Sequence, residues 1–313
     1  MTLAQLRTFL AVAETGSIRA AAARLVVTQS AVSASIAALQ RSLDLRLVEP
    51  SGRGLQLTPA GTIYAGYLRQ VLGLLDEARV AAGSEGEPDR GELRIAAVTT
   101  VGDHLLPGIL VRFRHAHPQA RIHVEVGNRE QVLALLDDHE VDLVLGGRPV
   151  RARNHVALAV RPNELIVVGP PDSPRQRTGD ELLSWLAGQT WVLREPGSGT
   201  RATTESYLAG LDLAPPLLTL SSNAAVRESV AVGLGVTLIS RDAVARDLAE
   251  GRLTELTAPG TPLPRDWYLL AHRSGPPATA RLLVDQLLAG GDFERPPGAR
   301  RRTGASADSA APG

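Results

Sequence analysis

The apolar residues of this chain follow one periodicity before residue 90 and another after it. Before that point they recur every three or four residues, as in amphipathic helices. From Glu92 onward, short β-like segments such as Leu93–Val98 and Arg121–Val126 alternate with helical segments. A pattern that changes in this way indicates separate domains. The 313 residues are therefore expected to form a helical head and an α/β body.

Composition excludes several classes of function. The chain has no cysteine, which rules out a disulfide framework, thiol catalysis and thiolate metal sites. No apolar run approaches the roughly 18 residues of a membrane span, and the N-terminus lacks the apolar core of a signal peptide. The seven histidines show no metal-ligand spacing. We therefore expect a cytoplasmic protein with no cofactor, no metal ion and no membrane partner.

Charge is unevenly distributed along the chain, although the formal net charge is zero. Residues 1–83 carry eight arginines and five acidic residues, whereas residues 84–291 carry 21 arginines and 25 acidic residues. A basic head on an acidic body favours a nucleic-acid-binding module joined to a second functional unit.

The head is predicted to begin with three short helices. Gly16 suits the C-terminus of the first helix, Ser17 can cap the second and Thr28 can cap the third. The third helix has an apolar stripe on one face: Val32, Ile36, Leu39 and Leu43. This is the order of a helix-turn-helix, in which the N-terminal residues of the later helix reach base edges in the major groove. Three amphipathic helices also describe bundles with no role in DNA binding.

Two features after the third helix favour the DNA-binding interpretation. Two β-like segments, Leu45–Glu49 and Leu55–Thr58, flank a turn in the position of a wing. Pro59 then starts a long helix over 59–83, whose apolar positions alternate spacings of three and four: Tyr64, Tyr67, Val71, Leu74, Ala78 and Ala81. This seam predicts a dimer with two recognition helices, although burial inside a single chain would give the same pattern.

The segment ETGSIRAAAARLVVTQSAVSASIAALQRSLDLRLVEPSGRGLQLTPAG, residues 14–61, resembles the N-terminal domain of the LysR-type transcriptional regulators. The resemblance implies a winged helix-turn-helix, a dimer formed by the linker helix, and a two-lobed effector domain like that of periplasmic binding proteins. The sequence departs from the family pattern at Gln40, where glutamate is usual. The DNA-binding residues that the resemblance implies are Thr28, Gln29, Ser30 and Ser33 on the recognition helix and Arg53 in the wing.

The alternation of elements and the resemblance together give a domain plan. Parallel sheets covered by helices are expected in the body. A disordered tail is expected at the Ala-, Gly-, Ser- and Pro-rich end, with an extra DNA contact through Arg300–Arg302 as the alternative. The expected units are a winged helix-turn-helix at 1–58, a linker dimerisation helix at 59–83, a hinge at 84–91, effector lobe I at 92–161 with 265–290, effector lobe II at 162–264, and the tail at 291–313.

Three loops of the body follow strands and offer groups that suit a ligand. Two of them combine hydroxyls with the free N–H groups of a helix start, and ordinary helix capping is the alternative. The third is glycine-rich and permits close approach of a ligand, and an interlobe hinge is the alternative. Asn128 and Asn223 are expected to cap helices. The predicted ligand-binding residues are Thr99, Thr100, Gly147, Ser198, Gly199 and Thr200.

The strings VGNRE, VDLVLGGRP and REPGSGTR resemble, more narrowly, the LysR-type branch that controls carbon-fixation and sulfur-assimilation operons. That resemblance implies a small anionic effector, such as a phosphorylated sugar or acid or a sulfur oxyanion. The predicted function is a sequence-specific transcriptional regulator, acting as a homodimer or homotetramer on an interrupted inverted repeat in double-stranded DNA.

A solute-binding protein, or an enzyme acting on a phosphorylated substrate, is the alternative to a regulator. The helix-turn-helix argues against the first. The sequence offers no acid–base pair, metal set or activated nucleophile at a recognisable spacing, so no catalytic residue is predicted.

Overall fold

A computed structural model describes residues 1–52, 54–150, 154–175, 177 and 179–297. The predicted wing arginine, Arg53, and the arginines of the tail lie outside the described residues.

The head consists of three helices and a β-hairpin. The helices begin at the predicted caps, because the side chains of Ser17 and Thr28 accept hydrogen bonds from the backbone N–H groups of Ala20 and Ala31. Gly16 ends the first helix in the left-handed conformation, with φ 62°. The elements are α1 (Leu3–Thr15), α2 (Ile18–Leu25), α3 (Gln29–Leu43), β1 (Val48–Ser51) and β2 (Gly54–Leu57).

The angle between α2 and α3 is 106°, as a helix-turn-helix requires. Among the described helices, none is by itself long and apolar enough to cross a membrane; α2 and α3 reach those criteria only when counted together across their sharp bend.

The wing starts three residues later than the sequence predicts. The backbone N–H groups of Leu47 and Val48 donate to Oε1 of Gln40, at 2.8 Å and 3.2 Å. These donors are therefore used by a side chain of α3, and regular pairing begins only at Val48, opposite Leu57. Gln40 thus joins the recognition helix to the wing.

The linker helix α4 (Pro59–Ser84) follows the wing directly and is capped by Thr58, as predicted. Gly61 allows it to start there, because a Cβ at that position would lie 1.9 Å from the carbonyl oxygen of Leu47. Three side chains of its inner face, Ala65, Leu68 and Leu72, are buried in the core of the head.

Lobe I is a five-stranded sheet with the strand order β4-β3-β5-β13-β6. Strand β3 pairs in parallel with β4 and β5, whereas β13 is antiparallel to both β5 and β6. Its elements are β3 (Glu92–Val98), α5 (Thr99–His104), α6 (Leu106–Ala116), β4 (Arg121–Gly127), α7 (Arg129–Asp137), β5 (Leu143–Gly146), β6 (His155–Arg161), β13 (Trp267–His272) and α12 (Ala278–Ala289).

Lobe II is built around β7, which pairs antiparallel with β10, β11 and β12. A separate parallel pair, β8 with β9, is joined to this sheet by a bridge between Trp191 and Val236. Its elements are β7 (Glu164–Gly169), α8 (Gly179–Ala187), β8 (Trp191–Arg194), α9 (Gly199–Gly210), β9 (Leu217–Leu220), α10 (Asn223–Ala231), β10 (Thr237–Ser240), α11 (Arg241–Ala249), β11 (Thr254–Leu256) and β12 (Leu263–Pro264).

The expectation of parallel sheets is therefore met only in part, because β3 runs parallel to β4 and β5, and β8 to β9, whereas the other pairs of the body are antiparallel. The chain leaves lobe I after β6, forms all of lobe II and returns as β13, which inserts between β5 and β6 in the opposite direction. Only strands joined by a helical crossover within one sheet are constrained to run parallel. A long excursion through a second lobe removes that constraint.

The ordered chain also extends beyond the predicted start of the tail at residue 291. Phe293 is buried in the core of lobe I, and the backbone of Glu294 exchanges two hydrogen bonds of 2.8 Å with Val160. Burial of one aromatic side chain and the pairing of its neighbour are enough to hold residues 291–297 on the lobe.

Candidate DNA-binding surface and effector cleft

The four predicted recognition residues lie together at the start of α3. Thr28 caps the helix, and its hydroxyl lies 3.0 Å from the hydroxyl of Ser30. Gln29, Ser30 and Ser33 are exposed to solvent, while Val32 between them is fully buried in the head core. Burial of Val32 fixes the rotation of the helix, so the polar side chains point outward, where base edges would lie.

The outer face of α4 is apolar and exposed. Ile63, Tyr67, Val71 and Leu74 are each at least half exposed, and they follow one another at spacings of four, four and three residues. Tyr64 does not belong to this seam, contrary to the prediction, because it packs against Phe9 with ring centroids 5.7 Å apart. The exposed seam therefore begins at Ile63, one residue before the predicted Tyr64.

The six predicted ligand-binding residues line a single cleft between the lobes. Thr99 and Thr100 follow β3, Gly147 follows β5, and residues 198–200 start α9, so each group comes from the carboxyl end of a strand. The cleft is narrow: its empty space of about 330 Å³ includes open solvent, and only about 20 Å³ is wide enough for the centre of a water molecule. The other residues that line it are Val98, Asn128, Arg129, Arg194, Arg265 and Trp267.

The hydroxyl groups of the cleft differ in whether they already donate a hydrogen bond within the protein. Thr99 donates to the carbonyl oxygen of Gly127 at 3.2 Å. Thr100 accepts a hydrogen bond of 2.8 Å from Nδ2 of Asn223, which leaves its proton for a ligand. Ser198 stands at the N-cap position of α9 but makes no capping hydrogen bond, although it is buried. Thr100 and Ser198 are therefore the hydroxyl donors best placed for a bound molecule.

Asn223 was expected to cap α10, and this prediction is wrong. Ser222 is the cap, and Asn223 is buried one residue inside the helix. Its Oδ1 accepts from Nη1 of Arg194 at 2.5 Å, and its amide donates to Thr100. Arg194 is also paired with Glu195 at 2.7 Å. This chain of polar contacts ties lobe II to lobe I beside the cleft.

Asn128 caps α7 as predicted. Its side chain accepts from the N–H of Gln131, and the side chain of Gln131 accepts from the backbone of Asn128, which completes a capping box. The cap brings the start of α7, and with it Arg129, to the wall of the cleft.

Of the residues that line the cleft, Arg265 has the pKa that departs most from its ordinary value. Its guanidinium has no ion-pair or hydrogen-bond partner within the described parts of the chain. Burial, and then repulsion from Arg129, lower the pKa of Arg265 to about 10. The guanidinium still carries its charge at neutral pH, and it lies over the ring of Trp267, 6.0 Å from the centroid, so a weak cation–π contact offsets part of the cost of burial.

Two of the predicted glycines make room for these arginines. A Cβ at Gly199 would stand 2.4 Å from Nη2 of Arg265, and a Cβ at Gly147 would stand 2.6 Å from Nη1 of Arg129. The sequence predicts Gly147 for close approach of a ligand and Gly199 as part of a loop that offers backbone N–H groups, but it does not predict Arg129, Arg194 or Arg265 as ligand-binding residues. Arg129 and Arg194 lie in the strings VGNRE and REPGSGTR, whereas nothing local to Arg265 distinguishes it from other surface arginines.

Comparison with protein families matches both parts of the chain. Residues 3–62 match the family described as "Bacterial regulatory helix-turn-helix protein, lysR family", and residues 86–292 match the "LysR substrate binding domain". The chain belongs to the LysR family. This regulator is 35% identical over 269 residues to the HTH-type transcriptional regulator CbbR of Rhodospirillum rubrum, covering 86% of this chain and 89% of that protein.

Two further proteins are similar to this LysR-family chain. The RuBisCO operon transcriptional regulator of Allochromatium vinosum is 35% identical over 275 residues, covering 87% of this chain and 90% of that one. The Synechocystis PCC6803 CcmR regulatory domain, solved in complex with 2-PG, is 25% identical with a TM-score of 0.58, covering 64% of this chain and 96% of that domain. The chain is thus a DNA-binding transcriptional regulator with an effector-binding domain, and neither a solute-binding protein nor an enzyme.

Proposed function

We propose that this regulator binds an interrupted inverted repeat in double-stranded DNA as a homodimer or homotetramer, and that a small anion bound between its lobes controls it. The proposed location is the cytoplasm, because the DNA that such a regulator reads lies there. The observation that carries the proposal is the guanidinium of Arg265, half-buried in the interlobe cleft with no counter-charge among the residues that the structure describes.

The cleft offers an anion positive charge, hydroxyl donors and backbone N–H groups. Arg265 and Arg129 supply positive charge, and Thr100 and Ser198 supply hydroxyl donors. The N-terminus of α9 adds backbone N–H groups and the favourable end of a helix dipole. An anion in this place relieves the repulsion between the two guanidiniums, whereas a cation would increase it.

The similarity to the CcmR regulatory domain supports a phosphorylated acid as the effector. That domain was solved with 2-phosphoglycolate, which carries a phosphate and a carboxylate. Two anionic groups match the guanidiniums of Arg129 and Arg265. Phosphorylated sugars and sulfur oxyanions share the same chemistry and belong in the same binding assay. The names of the relatives support a carbon-fixation operon as the regulated target.

The DNA-binding part of the proposal rests on the geometry of the head. Gln29, Ser30 and Ser33 are exposed at the start of α3 and are proposed to meet base edges, and Arg53 in the wing is proposed to contact phosphate. Two heads paired through α4 would address half-sites spaced by about 34–36 Å or a multiple of it. Footprinting on the promoter next to the regulator's own gene should reveal a symmetric protected site. Absence of any symmetric protection near a promoter would contradict the proposal.

Pairing through the exposed seam is tested separately. Val71→Asp and Leu74→Asp each place a charge on the face that we propose to be buried in the dimer, where an unpaired charge is costly. Sedimentation should show dissociation of the assembly, together with loss of operator affinity. Thr62→Asp adds the same charge at an exposed position of α4 away from the seam and should leave the assembly intact. Unchanged assembly in both seam variants would contradict the dimer proposed here.

A further inference from the structure

A second cavity lies between the lobes, beside the effector cleft. Residues of α5 and β13 in lobe I and of α11 in lobe II line it, and it shares Thr100 and Trp267 with the cleft. About 130 Å³ of this cavity is wide enough for the centre of a water molecule. An apolar cavity of roughly 150 Å³ holds a molecule of the size of benzene. The second cavity therefore has room for a small molecule.

Much of the wall of this cavity is apolar. Val101 and Trp267 are buried in the core of lobe I, and Leu105 packs against that core. Ala245 of α11 is exposed and adds a methyl group from lobe II. A ligand with an apolar body gains free energy when it leaves water for such a wall. The wall therefore suits a small branched aliphatic group.

An ion pair joins the two lobes in the lining of this cavity. Nη1 of Arg161, at the end of β6, lies 2.5 Å from Oδ2 of Asp242, the second residue of α11. Nε1 of Trp267 donates to the same oxygen at 3.4 Å. Within the parts of the chain that the structure describes, Nε and Nη2 of Arg161 and Oδ1 of Asp242 make no hydrogen bond. Arg161 can therefore still donate to a ligand, and Asp242 can still accept from one.

The charges that line the cavity balance each other. Burial, and then repulsion from Arg227, lower the pKa of His104, the other ionisable residue of the lining. The ring of His104 is therefore uncharged at neutral pH, and Arg161 and Asp242 contribute one charge of each sign. A simple anion would be attracted by Arg161 and repelled by Asp242, and a simple cation the reverse. A molecule that carries both a carboxylate and an ammonium group would be attracted by both residues.

We propose that this cavity is a second ligand site, which binds a zwitterionic amino acid with a small branched apolar side chain. The ligand carboxylate accepts from Nε and Nη2 of Arg161, and the ligand ammonium group donates to Oδ1 of Asp242. The ligand side chain packs on Val101, Leu105 and Trp267. The effector cleft presents uncompensated positive charge instead and suits an anion, so the two sites select different molecules.

Titration calorimetry of the full-length protein with L-valine tests this site, with two analogues that each lack one charged group. L-Valine should bind with one site per chain. Isovalerate lacks the ammonium group and isobutylamine lacks the carboxylate, so each should bind at least about tenfold more weakly, because hydrogen bonds between charged groups are lost. Absence of saturable L-valine binding would overturn the site, and equal affinity for L-valine and either analogue would overturn its selectivity for a zwitterion.

Two matched substitutions on α11 locate the bound ligand. Ala245→Leu fills the cavity, whereas Ala249→Leu adds the same side chain at an exposed position one helical turn further on, outside the lining. Ala245→Leu should weaken L-valine binding by about tenfold or more, since the enlarged side chain takes the place of the ligand. Ala249→Leu should bind L-valine as the wild type does. Equal binding by the two variants would place L-valine elsewhere and overturn the proposal.

Asp242→Asn distinguishes charge recognition from a purely structural role of the ion pair. Asparagine keeps the size of the side chain and an acceptor toward Arg161, but it removes the negative charge. Affinity for L-valine should fall by about tenfold or more, while affinity for isovalerate should rise because the guanidinium is no longer balanced. The order of the two ligands is then reversed. Equal losses of both affinities would mean that the pair only holds the lobes together, and would overturn the proposal.

Discussion

The recognition surface and the interlobe cleft differ in their exposure and in the electrostatic cost that they carry in the free protein. The recognition surface is exposed, and Gln29, Ser30 and Ser33 are solvated in the free protein at little electrostatic cost. The cleft is concave and holds Arg265 beside Arg129 with no counter-charge on Arg265 among the described residues.

This difference separates recognition of DNA from response to the effector. An uncharged exposed surface carries no electrostatic cost that binding would relieve, so in the proposed function it contributes selectivity for a DNA sequence. A half-buried guanidinium with no counter-charge among the described residues destabilises the free lobes, and we propose that a bound anion removes that penalty. A ligand that stabilises one arrangement of the lobes shifts the population toward it. In the proposed function, the cleft is therefore the part of the molecule that responds to the effector.

The largest effect is expected at Arg265. Arg265→Leu should weaken binding of 2-phosphoglycolate by about 2–5 kcal/mol, because one charge of a desolvated ion pair is lost. The same change should leave the thermal stability of the free protein equal or higher, since it removes the buried charge. Arg114→Leu, at an exposed position of α6, is the control and should change neither quantity. A free protein that is strongly destabilised by Arg265→Leu would contradict the uncompensated charge.

The recognition surface should show the opposite behaviour. Gln29→Ala and Ser33→Ala should each cost about 1–3 kcal/mol of specific operator binding, the usual value of a good base contact. Effector affinity and thermal stability should remain unchanged, because both side chains are exposed. Ser42→Ala, near the other end of α3, is the control. If either recognition variant altered effector affinity, the separation of the two regions would be wrong.

The hydroxyl donors of the cleft are expected to contribute less than the charge. Thr100→Val and Ser198→Ala should each weaken effector binding by about 1–3 kcal/mol, as expected for hydrogen bonds to a charged ligand. Operator binding without effector should stay at the wild-type value. Ser184→Ala, an exposed hydroxyl of α8, serves as the control in the same titration calorimetry. A full effect from Thr100→Val with none from Ser198→Ala would restrict the ligand to lobe I.

The smallest effect is expected in the wing. Arg53→Ala should weaken binding to all DNA sequences alike and reduce the slope of log affinity against log salt by about one unit, as loss of one phosphate contact does. Fluorescence anisotropy with operator and random duplexes at several salt concentrations measures both quantities. A changed base preference with an unchanged salt slope would mean that Arg53 reads bases.

The head could be predicted from the sequence because its signals are local. The caps at Ser17, Thr28 and Thr58 and the glycine at 16 act on neighbouring residues, and the structure has them all in these roles. Tyr64 shows the limit of a helical pattern. Its spacing fits the seam, but only packing against Phe9 shows that its ring turns inward.

The cleft could be predicted only in part, because only some of its signals are local. Hydroxyl- and glycine-rich loops after strands are visible in the sequence, and the fold brings them together. Arg265 lies far from these loops along the chain and reaches the cleft only because the chain returns to lobe I after lobe II. Asn223 was misread because a cap and a buried interlobe hydrogen-bond donor have the same sequence context. Non-local strand order decides both cases, and no short pattern encodes it.

Titration calorimetry of the full-length protein with 2-phosphoglycolate, phosphorylated sugars, sulfur oxyanions and small carboxylates tests the anion cleft most directly. The wild type should bind at least one of these anions with one site per chain, and the double variant Thr100→Val with Ser198→Ala should bind it far more weakly while keeping its operator affinity. Unchanged binding of an identified effector to the double variant, or an effector that is a cation or a neutral apolar molecule, would contradict the anion cleft.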